Sequence, residues 1–302
     1  MLIPRKICPL TSSLNILNIF LTGATGFVGS YILSELLACS HNVTIIVRAN
    51  SDTKRINHCY DKLNIVNNEY EILTSELEFD CIIHAATAYE DSNIGASSIL
   101  ASNINLPVYL LDYAVKFKCK KFINISTFVS KHDARPLSTY ALTKRHLEEW
   151  GDYYCNHYFL NFVNVVLHQV YGVGDSITKF IPWLVHQLKN NVSPIELTEG
   201  NQERDFVNVI DVQKAIGLIV DQPYQDSYQE YEVCSGNVTT IREFAQIVKL
   251  AANSCSRLDF GAIDYRENEI MTIHSNPSKT FGLGWRPEID LVSGVEMMIR
   301  NT

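Results

Sequence analysis

The sequence predicts an α/β fold: a doubly wound parallel sheet with a smaller C-terminal domain. Three observations carry that expectation. An apolar run ending at Thr22 leads into glycines at 23, 26 and 29 and then into an amphipathic stretch, Ser30 to Ala38. This reads as a buried strand, a glycine turn and a helix start. Short apolar runs then alternate with helical stretches through the first half of the chain, the pattern of βαβ units. Finally, Arg48, Ala85-Ala86-Thr87 and Ser126-Thr127 all close predicted strands, where sheets of this kind bind their ligands.

Composition bounds the rest. The 302 residues, 46% hydrophobic and 19% charged, suffice for one large α/β domain or two interlocked ones. A net charge of -8 and a pI of about 5.6 argue against nucleic-acid and membrane-surface partners. A phosphate-bearing ligand must then be held locally, by glycine backbone and a few arginines. No apolar run of about 18 residues is present to span a bilayer. Eight scattered cysteines without a C-x-x-C pair fit buried thiols in a reducing, cytoplasmic setting. The nine histidines show no metal spacing. Residues 1–16, with Pro4 and Pro9, read as an extension before the first strand and not as a signal peptide.

Residues 17–170 are expected to form the dinucleotide-binding domain. Its first turn offers Gly23, Thr25, Gly26, Phe27, Val28 and Gly29 to a pyrophosphate, because glycine lets the backbone come close and the helix start presents free N–H groups. The second strand, Asn42 to Val47, ends at Arg48, which suits a ribose phosphate and so favours NADPH, with NADH the alternative. A short strand over Leu63 to Val66, a helix over Glu69 to Leu77, a strand over Cys81 to Thr87 and a long helix over Ser98 to Lys116 follow. Pro107 within that helix requires a kink or a new start nearby. A fifth strand, Lys121 to Ile125, ends at Ser126-Thr127. Residues 171–302 are expected to form the substrate domain, with about 204–222 returning a strand and a helix to the first sheet.

The second informative stretch is Ser138-Thr139-Tyr140-Ala141-Leu142-Thr143-Lys144. A helix starting near Ser138 places Tyr140 and Lys144 on one face. A phenol titrates near 10, and an ammonium one turn away is expected to lower that value. Thr127 can donate a hydrogen bond to a carbonyl oxygen. The three form a centre for proton transfer coupled to hydride transfer: Thr127 polarises, Tyr140 delivers the proton, and Lys144 tunes Tyr140 and holds the nicotinamide ribose.

With these residues in place, the chain resembles the extended short-chain dehydrogenase/reductase family, of the NAD-dependent epimerase/dehydratase type. The resemblance runs from about Asn18 to Pro287. It rests on Thr22 to Gly29, His84-Ala85-Ala86, Asn103, Ser126-Thr127, Tyr140 with Lys144, Val170-Tyr171-Gly172, Arg204-Asp205-Phe206 and Gly284-Trp285. It implies a Rossmann-like fold, Thr127, Tyr140 and Lys144 as the catalytic set, and Asn103 supporting the cofactor. It also implies Phe180, Arg204 and Arg266 on the side of a nucleotide-sugar substrate; the two guanidinium groups suit its diphosphate. Within that family the likeness is strongest to the O-antigen nucleotide-sugar 4-ketoreductases, which implies reduction of the C4 ketone of a dTDP- or CDP-linked 4-keto-6-deoxyhexose, in a possible homodimer. One departure is the run Val165-Val166-Leu167-His168-Gln169, where relatives often carry an arginine. A 4,6-dehydratase would place an Asp-Glu pair after the catalytic threonine, where this chain has Phe128-Val129. A 4-epimerase with tightly bound NAD is the nearer alternative, and a non-catalytic cofactor-sensing module the more distant one.

Overall fold

The computed structural model describes residues 15–68, 71–72, 74–89, 95–132, 138–225 and 227–301. The expected N-terminal extension lies almost wholly outside this set, and the helix expected over 69–77 lies partly outside it.

The first unit forms as the apolar pattern dictates. Strand β1 (Asn18–Thr22) is buried from its second residue onward and feeds helix α1 (Phe27–Ala38) through the glycine turn. Strands β2 (Asn42–Ile46) and β3 (Asn64–Val66) follow, then β4 (Cys81–His84), whose four residues are all buried. The expected long helix is divided. Helix α2 (Ala96–Leu100) passes through a π-helical turn, Ala101–Asn105, into α3 (Leu106–Lys116). The wider turn lets Pro107 sit in the first turn of α3, where its missing N–H costs nothing. Strand β5 (Lys121–Thr127) is buried throughout and runs two residues further than predicted, through Thr127. Helix α4 (Thr139–Tyr158) begins at Ser138, whose hydroxyl accepts from the Ala141 N–H at 3.2 Å.

The remaining elements are β6 (Phe162–Leu167), β7 (Gln169–Tyr171), α5 (Phe180–Lys189), β8 (Ile195–Leu197), β9 (Glu203–Asn208) and α6 (Val209–Asp221). After them come β10 (Tyr228–Val233), β11 (Val238–Thr240), α7 (Ile241–Ala251), β12 (Leu258–Phe260), α8 (Ser278–Gly282) and α9 (Leu291–Asn301).

Seven strands form the central parallel sheet, in the order β10-β6-β5-β4-β1-β2-β3. One face packs against α1 and α6 through residues such as Ile32, Leu36, Ile216 and Ile219, and the other against α3 and α4 through Leu110, Leu111 and Leu147. A third apolar cluster, with Leu184, Phe206, Phe244 and Val295, joins α5, α7 and α9 into a second lobe.

The second lobe corrects one expectation. Of the segment about 204–222, only the helix returns to the first domain. Strand β9 pairs with β7 and β11 in a separate three-stranded sheet, and the strand that joins the central sheet is β10, beside β6. The polar alternation of β10 hides this role in the sequence, since its outward residues are Glu230 and Glu232. Buried Lys121 at the start of β5 fixes α6 in place: its ammonium donates to the carbonyls of Ile219, Val220 and Gln222 at 2.7–3.0 Å. A cation at a helix C-terminus satisfies carbonyls that have no helical partner.

Candidate active site

A cavity of about 780 Å³ opens at the carboxyl ends of the central strands, between the two lobes. Gly23, Thr25, Gly26, Phe27, Val28 and Gly29 line it, as do Arg48, Ala85, Ala86, Thr87, Thr127, Tyr140, Lys144, Arg204 and Arg266. Residues far apart in sequence thus meet at one site.

The glycine turn is tight for two distinct reasons. Gly23 has φ +72°, and a Cβ there would lie 2.5 Å from the Ala86 backbone nitrogen. A Cβ on Gly29 would lie 2.0 Å from the Gly23 carbonyl oxygen, so only glycine lets α1 close onto the turn. No side chain caps the N-terminus of α1, and its first turn holds no acidic residue. Free N–H groups and the positive dipole end therefore face the cavity, a cradle that fits the pyrophosphate of a dinucleotide. Arg48 and Ser51 line the same end.

Thr127, Tyr140 and Lys144 converge at the other end. Thr127, Tyr89 and Tyr140 all line this end, and the Tyr89 and Tyr140 rings lie 4.9 Å apart. Burial, reinforced by Tyr89, raises the Tyr140 pKa well above its ordinary 10, although Thr127 opposes the rise. The expected lowering by Lys144 is thus overturned. The Lys144 ammonium turns instead to the Ile125 carbonyl, 2.8 Å away. Burial pushes its own pKa down to about 8, with Glu148 opposing the shift.

Asn103 does not line the cavity. Its side chain accepts from the Ala88 N–H (2.8 Å) and donates to the Ala88 carbonyl (2.9 Å) and the Thr143 hydroxyl (3.1 Å). It therefore clips the segment after β4 to α4, acting on the site at one remove. Phe180 also lies off the cavity, packed among the second-lobe apolar residues beside Trp183. Its neighbour Lys179 takes the lining position, 5.7 Å from the ring centres of both Phe27 and Tyr89.

Arg204 reaches the cavity but is already committed. Its guanidinium donates to the Glu203 and Ile270 carbonyls, each at 2.7 Å, and to Glu269 Oε1 at 2.6 Å. It so braces the segment 266–270, which carries the exposed Arg266 at the rim. His168 occupies the stretch where relatives often carry an arginine. It is buried against the Phe128 ring, with Nε2 2.9 Å from Glu232. No metal site was legible from histidine spacing. The fold nonetheless brings ligand atoms of His168, Glu232 and Cys234 within 4.8 Å of one another. Burial keeps that thiol protonated, and Glu232 is engaged by His168 and the Asn276 N–H.

The sequence reading missed Tyr89, Lys179 and Arg55. Arg55 donates to the Gly174 and Thr25 carbonyls and so ties the second lobe to the glycine turn. Tyr89 and Arg55 belong to no periodic pattern or spaced motif, and Lys179 is marked only by its place beside Phe180 in the run Lys179-Phe180-Ile181-Pro182.

The profile of the NAD dependent epimerase/dehydratase family matches residues 19–234. The chain belongs to that family. Among curated members, CDP-abequose synthase of Salmonella typhimurium is 33% identical over 294 residues, covering 93% of this chain and 97% of that protein. A putative UDP-glucose 4-epimerase of Methanocaldococcus jannaschii is 26% identical, covering 93% and 97%. Among solved structures, UDP-glucose 4-epimerase of Thermotoga maritima superposes with a TM-score of 0.84 at 19% identity, covering 94% and 98% of the two chains. The Thermus thermophilus UDP-glucose 4-epimerase complex with NAD gives 0.79 at 21% identity, covering 94% and 98%. The doubly wound parallel sheet is thus the sheet of this family. The curated relatives make the protein a nucleotide-sugar-modifying enzyme.

Proposed function

We propose that the protein reduces the C4 ketone of a nucleotide-activated 4-keto-6-deoxyhexose, using NADPH in preference to NADH. The observation that carries this reading is the convergence of Thr127, Tyr140 and Lys144 on one cavity, with Phe128 and Val129 lining it at the two positions after the threonine. Dehydration needs an acid and a base after the threonine; ketone reduction needs a proton donor alone. The similarity to CDP-abequose synthases supports the same class of sugar.

The nicotinamide cofactor, when bound, supplies the hydride. The chain supplies the rest. Thr127 donates a hydrogen bond to the ketone oxygen, and Tyr140 gives its proton to the oxygen as C4 is reduced. The raised Tyr140 pKa suits this direction, because the phenol stays protonated at neutral pH until a stronger base forms beside it. Lys144 offers an ammonium to the ribose hydroxyls. Arg48 and Ser51, which line the cavity, would hold the ribose phosphate of NADPH, and Arg204 and Arg266 would hold the sugar diphosphate.

The test offers purified protein dTDP-4-keto-6-deoxyglucose and the CDP-linked 4-keto-3,6-dideoxyhexose, each with NADPH and with NADH. Loss of reduced cofactor with one sugar identifies class, base and cofactor preference together. No loss with either would overturn the reductase reading in favour of a 4-epimerase, which would retain NAD through purification.

A further inference from the structure

Glu148 lies one helical turn beyond Lys144 on α4 and is buried, with 8% of its surface exposed. Three groups converge on it. Ser126 and Ser130 donate to Oε1 at 2.5 and 2.7 Å, and Lys131 reaches Oε2 at 2.8 Å. These partners flank Thr127 on both sides. The Ser130 hydroxyl also lies 2.7 Å from the Thr127 carbonyl, so its single proton is divided between that carbonyl and the Glu148 carboxylate. Two bonds to one carboxylate oxygen thus tie Ser126 at the end of β5 to Ser130 in the turn after it, on either side of Thr127.

We propose that Glu148 is a positioning residue for the proton-transfer centre: its carboxylate fixes the backbone around Thr127 and sets a negative charge against the Lys144 ammonium. The inference rests on the functional reading above for the roles of Thr127 and Lys144. The charged and titratable groups around the pair come from four elements. Tyr140 shares α4, His84 approaches Lys144 from β4, Lys131 faces Glu148 from the turn after β5, and Glu230 and Tyr228 act from β10. His84 is neutral near pH 7, because burial drops its pKa to about 3. Lys131 is shared between Glu148 and Glu230, at 2.8 and 2.5 Å. Among these groups, Glu148 is the one that raises the Lys144 pKa against its burial.

Charge and geometry can be separated. Glu148→Gln keeps the shape and removes the charge; Glu148→Asp keeps the charge and withdraws the oxygens from the two serines. In protein labelled with carbon-13 at the lysine ε-carbon, Lys144 is titrated by NMR without substrate or cofactor, with Lys144→Arg giving the assignment. The expected result is a wild-type midpoint near 8, a fall of about one pH unit in Glu148→Gln, and a shift under about half a unit in Glu148→Asp. The alkaline limb of kcat follows the same order. Glu148→Asp lowers kcat about tenfold, with KM for NADPH unchanged, through the loosened Thr127. An unmoved midpoint in Glu148→Gln overturns the proposal. So does equal displacement by both variants, since a merely structural role would not distinguish them. If Glu148→Gln is insoluble, Glu148→Asp decides: an unchanged kcat overturns the role at Thr127. The NMR readout needs no turnover, so it stands even if the substrate assignment fails.

Discussion

At the scale of single residues, the proposed reduction puts its chemistry on Tyr140. Replacement by Phe removes only the hydroxyl and leaves the ring against Tyr89. Turnover is expected to fall by about 10²–10⁴, with NADPH affinity within about twofold of wild type by fluorescence titration. A mutant with near-normal turnover would show that the proton comes from elsewhere. Arg48→Asp is expected to move the ratio of kcat/KM for NADPH over NADH by about tenfold or more toward NADH, because a carboxylate repels the ribose phosphate and accepts from a ribose hydroxyl. An unchanged ratio would remove Arg48 from cofactor selection. That both residues line the cavity was legible because their signals are local: a Tyr–Lys spacing of one turn and a charge at a strand end. The direction of the Tyr140 shift was not legible. It comes first from burial of the phenol and then from Tyr89, which arrives from the segment after β4, while the Lys144 ammonium turns to the Ile125 carbonyl. Neither fact is encoded within α4.

At the scale of elements, the strands were legible where both faces are buried, as in β4 and β5, since such strands read as continuous apolar runs. β10 alternates, and its membership of the central sheet depends on pairing with β6 across more than sixty intervening positions in the chain. The π turn before α3 was foreshadowed only by Pro107. That turn matters because it carries Asn103, whose side chain makes three hydrogen bonds between Ala88 and Thr143. Asn103→Ala removes the partner of the half-buried Ala88 N–H and carbonyl, and leaves the Thr143 hydroxyl with only its bond to the Tyr140 carbonyl. We expect a stability loss of about 2–4 kcal/mol from the urea midpoint, and a raised KM for the cofactor with kcat less affected. A loss below about 0.5 kcal/mol would mean that the clip holds nothing. Gly29→Ala tests the other support of the cradle. Its Cβ would meet the Gly23 carbonyl at 2.0 Å, so α1 must move away from the turn. NADPH binding is expected to weaken by about 100-fold or more in calorimetry, and normal affinity would show that the turn can adapt.

At the scale of the whole molecule, building the cavity on the ends of a fully covered sheet places titratable groups where water cannot reach them, and stability inherits their pH dependence. His84 ends β4 with Nδ1 3.0 Å from the Thr22 hydroxyl and with Nε2 buried and unpartnered. Burial, with Lys144 adding repulsion, lowers its pKa from 6.5 to about 3. His41 shifts the same way through burial, with Asp221 opposing. In the unfolded chain both imidazoles protonate as the pH falls through about 6.5. The folded protein does not take up the His84 proton until about pH 3. Between those values the unfolded state binds more protons, so stability falls with falling pH, by about 1.4 kcal/mol per pH unit from His84 alone. Lys144 carries the same sign at the other end of the scale. Its folded value of about 8 lies below its ordinary 10.5, so its burial penalty is relieved as the pH rises through that interval. Urea unfolding at pH 7 and pH 5 should therefore show a clear loss at the lower pH. His84→Gln, which keeps an acceptor for Thr22 and cannot be protonated, should recover about 1–2 kcal/mol of that difference. An identical loss in wild type and variant would mean that acid sensitivity arises from carboxylate pairs such as Asp80–Lys120 and not from the imidazole at the end of β4.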